Sequence, residues 1–268
     1  MGLTVSEVRV GVDAGVSNTD LAILENKNLT ATRSVSSNEY SNAVLKEFVA
    51  ENTSASARPL FACTGGKRMA SCSGFKRVDE IQCIGLGAAF LSREKKFLCA
   101  NVGTGTPFVA VDGASVKHVG GTGIGGGTLD GLAKLLLQRR ASDLESFAKR
   151  GKPRLDLTVN EVIGGPIGVV PPTATAANLG KVATLAGTPK KEDVALSIIA
   201  LVGESVGVSA AFAAKSAGFN KIVFTGRVAA KNKFFRERSA AAAKIFGVNS
   251  VYPKNGEYAT AIGAALLA

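Results

Sequence analysis

The sequence predicts a mixed α/β protein built from two similar lobes, and three observations support this fold class. Patterns typical of strands and of helices alternate along the whole chain. A strand, a turn rich in Gly, Ser and Thr, and a returning strand occur twice, around residues 13 and 103. A glycine-rich loop at residues 120–127 leads into a further helix. The repeat favours an internal duplication, with lobes at residues 1–98 and 99–268.

The first lobe opens with three consecutive strands, continues with a helix and closes on a fourth strand. Short apolar runs predict these strands at residues 8–12, 21–24, 29–35 and 60–63. The turn between the first two strands covers residues 13–20. We expect the helix at residues 37–50, where Ser37 or Asn38 is a suitable N-cap.

The second lobe repeats this order. Its strands are predicted at residues 97–102, 108–111, 117–119 and 222–225. A turn at residues 103–106 joins the first two, and the glycine-rich loop opens a helix at about residues 128–138. A helical middle section and a long helix at residues 194–217 follow, and a helix, a strand and a helix end the chain.

An apolar segment at residues 194–214 is long enough to span a membrane. Glu204 is its only charged residue, and Gly203 and Gly207 dilute its hydrophobicity. Because a carboxylate at the centre of a bilayer is costly, the segment is predicted to be a helix buried inside protein.

The composition excludes several kinds of site. His118 is the only histidine, so a multi-histidine metal site is impossible and any catalytic triad with a histidine would have to use it. No C-x-x-C pair is present, which favours buried reduced thiols over a zinc site or a disulfide at Cys63, Cys72, Cys83 and Cys99. The N-terminus lacks the apolar region of a signal peptide, so we expect a cytoplasmic protein.

The charge distribution indicates an anionic partner. The formal net charge is +11, and residues 99–268 carry +9 of it. Such an excess fits nucleic acid, an anionic membrane surface or an anionic small ligand. Aromatic residues make up only 6%, and no RNA-binding or zinc-finger signature is present, which disfavours nucleic acid. A solvated helix face explains the basic cluster Lys231, Lys233, Arg236, Arg238 and Lys244.

The two glycine-containing turns, at residues 11–17 and 101–106, predict a phosphate site. Turns of this kind present backbone N–H groups and hydroxyls, so two facing copies can hold a polyphosphate. No G-x-x-x-x-G-K-[ST] sequence is present, which excludes a P-loop. The string at residues 121–126 lacks the acidic residue that a Rossmann site carries about 20 positions later.

The string V-G-V-D-A-G at residues 10–15 resembles the first phosphate motif of the superfamily of acetate and sugar kinases, Hsp70 and actin. Three further strings resemble the type II pantothenate kinases in order and in spacing: residues 101–106, 119–127 and 255–264. Residues 173–180 also resemble a loop of that family, so the resemblance extends over residues 8–268.

This resemblance implies an actin-like ATPase fold with two lobes, each a ribonuclease H-like mixed sheet flanked by helices. It implies an enzyme that phosphorylates the primary alcohol of pantothenate with ATP and Mg²⁺, the first step of coenzyme A biosynthesis. It also implies a homodimer, whose second subunit would give the helix at residues 194–217 an apolar partner. Neither nucleic acid nor a membrane is expected as a partner.

Catalytic roles follow for two acidic residues. By resemblance Glu80, at the start of a helix, is the general base, with Asp79 as the alternative. Asp13 is suited to hold Mg²⁺, because hard cations prefer carboxylate and water oxygens. The competing interpretations are a turn aspartate bonded to its own backbone at Asp13 and ordinary first-turn acids at the helix start.

The remaining site residues are expected to contact the nucleotide or the acceptor. The glycines of the loop would let the backbone approach ATP, and Gly226 would border the adenosine. The expected nucleotide contacts are Asp13, Gly15, Ser17, Asn18, Gly103, Thr104, Gly105, Gly125, Gly126, Gly127 and Gly226. The expected acceptor contacts are Thr104, Thr106 and His118.

Three residues depart from the family pattern. His118 stands where the family typically has an arginine, and it cannot clamp a carboxylate as arginine does. Asp20 stands where the family commonly has a lysine that approaches the phosphates; Lys67 or Arg227 is a candidate for the missing positive charge. Arg227 itself follows Gly226 where a second small residue is more usual, and an exposed residue at a helix start is the alternative there.

These departures leave the acceptor open. A kinase of the same fold that acts on pantetheine, which lacks the carboxylate, or on an amino sugar fits His118 as well. A dehydratase-activating ATPase, which holds an iron–sulfur cluster through cysteines at its dimer axis, is a further alternative, with Cys83 and Cys99 as candidate ligands. A nucleotide-binding regulator without catalytic activity also remains open. Feedback by coenzyme A species and the role of the basic helix are not determined by the sequence.

Overall fold

The protein, described here by a computed structural model over residues 7–66 and 73–268, contains two five-stranded mixed sheets flanked by helices. The strands are β1 (Val8–Ala14), β2 (Asn18–Glu25), β3 (Asn28–Ser36), β4 (Leu60–Gly65), β5 (Lys76–Arg77), β6 (Lys96–Asn101), β7 (Thr106–Asp112), β8 (Ser115–Thr122), β9 (Leu157–Thr158), β10 (Thr175–Ala177), β11 (Lys221–Thr225) and β12 (Asn249–Val251). The helices are α1 (Asn42–Asn52), α2 (Glu80–Ser92), α3 (Gly126–Leu132), α4 (Ala141–Ala148), α5 (Val159–Ile163), α6 (Lys191–Ser216), α7 (Arg227–Lys231), α8 (Lys233–Ile245) and α9 (Ala259–Leu266).

The two large sheets share one topology. The first has the order β3-β2-β1-β4-β5 and the second the order β8-β7-β6-β11-β12. In each sheet the first three strands of the chain run antiparallel, and the later strands join in parallel beside the first. The predicted mixed α/β fold with two duplicated lobes is therefore confirmed.

The first helix begins later than the sequence predicts. Ser41, not Ser37 or Asn38, is the N-cap of α1, and its hydroxyl accepts from the Val44 N–H. Ser37 lies beyond the end of β3, where its hydroxyl donates to the Gly15 carbonyl at 2.9 Å. Ser37, which could cap a helix, therefore stabilises the turn between β1 and β2 instead.

Helices α2 and α9 cross closely at the junction of the two sheets. A Cβ on Gly87 would lie 1.7 Å from the Ala259 carbonyl oxygen, and a Cβ on Gly263 would lie 1.9 Å from that of Cys83. On the sheet side, a Cβ on Gly11 would lie 1.9 Å from the Ala261 carbonyl oxygen. Glycine at all three positions lets α9 pack against both β1 and α2. The last helix thus returns to the first sheet, and the lobe boundary at residue 98 stays a prediction.

Helix α6 is buried inside its own chain. It is the one helix of the described residues long and apolar enough to span a membrane, and 72% of its apolar stretch is buried in the protein. Helix α8 packs along it, with the Cβ of Arg238 only 2.9 Å from where a Cβ on Gly203 would lie. Helix α8 therefore covers much of this helix within the chain, and the expectation that a second subunit also packs against it stays a prediction.

Glu204, the lone charge at the centre of α6, is satisfied within the chain. Its carboxylate accepts from the Thr175 hydroxyl at 3.1 Å, from the Asn178 amide at 2.8 Å and from Arg238 at 3.3 Å. A buried carboxylate is tolerated when it is hydrogen-bonded and paired in this way. Glu204 thereby joins α6 to α8 and to the segment around β10.

Most of the basic cluster is neutralised by internal pairing. Lys231 pairs with Glu257, Lys233 with Glu237, and Arg238 with Glu204. Arg236 donates to the Ala229 and Ala230 carbonyls at the end of α7. Asn232 separates the two helices and caps α8 by accepting from the Phe235 N–H. The basic residues are thus distributed over α7 and α8, and the lysines among them stay largely exposed to solvent, as a solvated face predicts.

The cysteines differ from the expectation at one position. Cys83 and Cys99 are free and buried, as predicted. Cys63 is disulfide-bonded, which corrects the prediction that it is a reduced thiol. Cys72 lies outside the described residues, as does Lys67.

Candidate active site

Four ionisable side chains lie near one another where the two lobes join, and we call this set the interlobe site: Asp13, Asp20, Glu80 and Arg227. Asp13 is the penultimate residue of β1 and pairs in register with Asp20 on β2. Arg227 begins α7 in the other lobe, and its Nη2 lies 2.7 Å from Asp20 Oδ1. Glu80, at the start of α2, is close enough to contribute to the electrostatic environment of Asp13.

The carboxyl group of Asp13 is strongly perturbed. Burial raises its pKa to about 8, with further contributions from the negative charges of Asp20 and Glu80. Arg227 and a hydrogen bond with Thr260 act in the opposite direction and only partly compensate. The three acids of the interlobe site face one cation, Arg227, so their full ionisation would leave negative charge uncompensated.

We expect the metal-free protein to lose stability through Asp13 as the pH rises from about 4 to about 8. Asp13 titrates near 3.8 when unfolded and near 8 when folded, so between these values the folded state binds the additional proton. The unfolding free energy then falls with pH, by up to about 1.4 kcal/mol per unit. Asp13→Asn should remove this dependence, so its Tm relative to wild type should rise from pH 5 to pH 8.

Thermal unfolding in a chelator, at matched buffer strength, measures this difference. Comparison with the variant cancels the titration of all other groups. A constant difference in Tm between wild type and Asp13→Asn over this pH range would contradict the environment described for Asp13.

The chemistry of these donors fits Mg²⁺. Mg²⁺ is commonly held by one or two carboxylates together with waters and substrate phosphates. In the part of the chain that the structure describes, no group of three or more His, Cys, Asp or Glu residues forms a metal cage. Asp13, crowded by two other acids, matches the open kind of site, and a divalent cation would offset the uncompensated charge.

The start of α2 distinguishes Glu80 from Asp79. The Asp79 carboxylate is the N-cap of α2 and accepts from the Gln82 N–H at 2.9 Å. Glu80 lies in the first helical turn, and as a whole residue it is exposed. Its carboxyl group is still partly removed from water, and this desolvation is the larger cause of its raised pKa; the negative charge of Asp79 is the smaller one. A carboxylate of raised pKa is suited to accept a proton near neutral pH, whereas Asp79 already has a structural task.

The first turn presents unpaired backbone donors. Ser37 holds the turn in shape, because its N–H donates to the Ser17 carbonyl and its hydroxyl to that of Gly15. Within residues 7–66 and 73–268, the N–H groups of Gly15, Val16 and Ser17 donate to no protein atom. Asn18, half-buried, begins β2 directly after them. Such a row of free N–H groups is suited to bind phosphate oxygens.

The second turn supports the glycine-rich loop. The Gly126 N–H donates to the Gly103 carbonyl at 2.7 Å and the Gly127 N–H to the Thr104 carbonyl at 2.9 Å. A Cβ on Gly125 would lie 2.8 Å from the Thr104 carbonyl oxygen. The Gly125 N–H donates to the Thr128 hydroxyl at 3.2 Å, so the N–H groups of all three glycines are already paired. These glycines are therefore required by packing between loop and turn, which the sequence did not indicate.

The remaining donors of the second turn differ in availability. Among the described residues, the backbone N–H groups of Thr104 and Gly105 donate to no protein atom, and Thr104 is exposed. Thr106 is 1% exposed, and its hydroxyl donates to the Ile124 carbonyl at 2.7 Å. Its side chain therefore anchors the loop, whereas Thr104 remains accessible to a ligand.

Gly226 connects the second sheet to α7 in a conformation that favours glycine. Its φ is +84°, and a Cβ would lie 2.5 Å from the Val102 carbonyl oxygen. Beyond it, a cavity of about 470 Å³ lies between α7 and the segment from Tyr252 to Lys254. Gly226 donates its N–H to the Gly256 carbonyl at the same place.

His118 lies on β8, exposed, at the side of the second sheet that faces α2. It follows Val116 by two residues and so shares its face of the strand. Val116 lies beneath α2, with a methyl group 2.5 Å from where a Cβ on Gly85 would be, and its carbonyl accepts from the Gln82 amide at 3.1 Å. His118 therefore lies on the α2-facing side of β8, two residues beyond Val116.

Three residues of the site were not identified from the sequence. Thr260 hydrogen-bonds Asp13, Glu257 adds negative charge near Asp20, and Ser34 accepts from Arg227. Thr260 and Glu257 belong to the string at residues 255–264, whose likeness to a known motif was the available signal. Ser34 lies on β3 and carries no such signal.

Two equivalent mixed sheets, with glycine turns that meet at a cluster of carboxylates, define an actin-like nucleotide-dependent kinase or ATPase. The chain belongs to the Fumble family, which it matches over residues 92–267. A type II pantothenate kinase from Bacillus cereus is 29% identical over 273 residues, with 97% of each chain covered.

Solved structures show the same fold. Component A of the (R)-2-hydroxyglutaryl-CoA dehydratase of Acidaminococcus fermentans superposes with a TM-score of 0.69 at 19% identity, covering 98% of both chains. A ROK family glucokinase of Streptomyces griseus, in complex with glucose and AMPPNP, superposes with a TM-score of 0.63 at 11% identity, covering 97% of this chain and 99% of that one. These likenesses confirm the actin-like fold expected from the sequence.

Proposed function

We propose that this protein is an ATP-dependent kinase that phosphorylates the primary alcohol of pantothenate, the first step of coenzyme A biosynthesis. The observation that carries the proposal is the convergence of Asp13 and Glu80 beside two turns with free N–H groups. The curated relatives of the same length, which are type II pantothenate kinases, support this choice of substrate.

The chain's own residues divide the work as follows. The free N–H groups of the two turns bind the phosphate oxygens of ATP, and the cavity beyond Gly226 receives the adenosine. Asp13 is the residue that would hold Mg²⁺, which supplies charge neutralisation on the phosphates when bound. Glu80 accepts the proton of the alcohol as its oxygen bonds to the γ-phosphorus. The bond between that phosphorus and the bridging oxygen breaks, and ADP leaves with the electron pair.

The acceptor is proposed to lie between the second turn and the α2-facing side of β8. Thr104 offers an exposed hydroxyl and a free N–H there, and His118 is exposed on β8. We further propose that the enzyme is a cytoplasmic homodimer with neither nucleic acid nor a membrane as its partner. The exposed apolar side chains Val162, Ile163, Ile167 and Val169, outside the buried α6, are candidates for a subunit interface.

A direct acceptor panel tests the proposal. Purified protein, ATP and Mg²⁺ are incubated with pantothenate, pantetheine and amino sugars, and product masses are recorded. We expect a mass gain of one phosphoryl group on pantothenate, and Asp13→Asn should abolish it. Phosphorylation of an amino sugar alone would overturn the proposal, and phosphorylation of pantetheine alone would change the assigned acceptor.

The structural likeness to a dehydratase component supports a second candidate function, that of a dehydratase-activating ATPase. Burial raises the pKa of both Cys83 and Cys99 to about 12, which is unfavourable for thiolates that would hold an iron–sulfur cluster. Anaerobically purified protein is therefore expected to be colourless and free of iron. A brown protein with bound iron would favour this second candidate.

A further inference from the structure

Arg227 is the cation that connects the lobes at the interlobe site. Its Nη2 lies 2.7 Å from Asp20 Oδ1 on β2 and 2.7 Å from Ser34 Oγ on β3. The Asp20 side chain is 11% exposed, while that of Arg227 is 37% exposed. The ion pair is therefore enclosed on the side of Asp20 and open on the side of the guanidinium.

Only one of the three guanidinium nitrogens is used by the protein. Within the described residues, Nε and Nη1 of Arg227 donate to no protein atom, whereas Nη2 donates to two. Asp20 and Ser34 thus fix the plane of the group and leave its remaining donors unpaired. An arginine held in this manner presents a fork that matches phosphate oxygens.

The start of α7 is packed against the second phosphate turn. The Val228 N–H donates to the Val102 carbonyl at 3.4 Å, and a Val228 methyl lies 3.2 Å from where a Cβ on Gly126 would be. The partner of Arg227, Asp20, lies opposite Asp13 in the β1–β2 pair. The guanidinium therefore sits where both turns, the glycine-rich loop and the metal candidate Asp13 come together.

The surrounding charge favours a phosphate contact over a purely internal pair. Asp20 and Glu257 are acidic side chains on this side of the site, and Lys231 is already paired with Glu257. A triphosphate that enters such a site needs a cation beside it in addition to a metal ion. Arg227 is the cation that the geometry provides on the C-terminal lobe.

We propose that Arg227 binds the nucleotide phosphates through Nε and Nη1, while Asp20 and Ser34 orient it through Nη2. The inference rests on the proposed use of ATP and names a binding residue for that site. Arg227 thereby joins the phosphate site to β2 and β3, which it contacts from the opposite lobe.

Binding of three adenosine ligands, with three, two and no phosphate groups, tests this role. Dissociation constants for ATP, ADP and adenosine are measured by titration calorimetry on wild type, Arg227→Gln and Arg227→Lys. Arg227→Gln should weaken ATP and ADP binding about 10- to 100-fold, the range for a lost charged hydrogen bond, and leave adenosine binding unchanged. Arg227→Lys should recover part of the loss, because it restores the charge without the fork.

The matched control is Arg238→Gln. Arg238 also forms an ion pair across elements, with Glu204, and its side chain is 30% exposed, but its partner belongs to α6. It should leave all three dissociation constants unchanged. Thermal unfolding of each variant shows whether folding is intact at the assay temperature.

The outcomes separate the two proposals. If Arg227→Gln weakened the binding of ATP, ADP and adenosine equally, the phosphate contact would be overturned and the role of Arg227 would be purely structural. No weakening of ATP would overturn it as well. Because the assay contains no acceptor, a selective loss of ATP and ADP binding supports the role of Arg227 even if pantothenate proves not to be the substrate.

Discussion

Glu80→Gln is expected to lower kcat about 10²- to 10⁴-fold, the usual effect of removing a general base. Glutamine preserves the size and the helical position of the side chain but cannot accept the proton of the alcohol. Binding of ATP should stay unchanged, since the carboxyl group belongs to the acceptor side of the interlobe site. Steady-state kinetics and nucleotide titration on the same preparation measure both quantities.

Asp79→Asn is the matched control for this variant. It removes one negative charge at the neighbouring position, and asparagine serves as well as aspartate at an N-cap, so the contact with the Gln82 N–H is kept. We expect kcat within a few-fold of wild type. If Asp79→Asn abolished turnover and Glu80→Gln did not, the base would be Asp79.

The pH profile gives an independent criterion for Glu80. Burial and the charge of Asp79 raise its pKa above the ordinary glutamate value of 4.5. The proton-accepting form therefore predominates at pH values above this raised pKa. With ATP and Mg²⁺ saturating, so that Asp13 holds the metal, kcat should fall as the pH drops through it. This acidic limb should lie above pH 4.5 in wild type and be absent from the residual activity of Glu80→Gln.

Gly87→Ala is expected to destabilise the protein by at least about 3 kcal/mol, at the upper end of the range for overpacking. The added methyl would lie 1.7 Å from the Ala259 carbonyl oxygen, a backbone atom that cannot rotate away. Helices α2 and α9 would have to separate, although alanine is otherwise the better helix former by about 1 kcal/mol. Chemical denaturation followed by circular dichroism measures the loss.

Gly131→Ala is the control for that substitution. Gly131 is also helical, in α3, and a Cβ there meets no atom within 4 Å. We expect it to be neutral or to stabilise the protein by up to about 1 kcal/mol. Gly263→Ala, which would place its methyl 1.9 Å from the Cys83 carbonyl oxygen, should reproduce the loss from the other helix. Wild-type stability of both Gly87→Ala and Gly263→Ala would contradict the close crossing of α2 and α9.

This crossing also matters for the site. Helix α2 begins with Glu80, and Thr260, near the start of α9, hydrogen-bonds Asp13. Moving the two helices apart would displace the proton acceptor from the metal candidate. Gly87→Ala and Gly263→Ala should therefore lower kcat by a larger factor than they weaken ATP binding, when both are measured on the folded protein.

Local sequence patterns were sufficient for the fold, and they supplied the candidates for the site. The eight strands expected from apolar runs are all present, because strand periodicity depends on near neighbours. The repeated strand–turn–strand pattern indicated the duplication. The first phosphate string contains Asp13, the family resemblance pointed to Glu80, and the position after a predicted strand pointed to Gly226. Helix starts were less certain, since both Ser37 and Ser41 have the chemistry of a cap and only the path of β3 decides between them.

The sequence by itself determined which chemical groups this protein has and which turns carry them. Tertiary structure decided what those groups contact. Asp20 and Arg227 are 207 positions apart, and Glu204 meets Asn178 across 26 positions, so no local pattern could pair them. The glycine-rich loop shows the same division. Its composition predicts a close backbone approach, but only the packed lobes show that the approaching backbone includes that of Gly103 and Thr104.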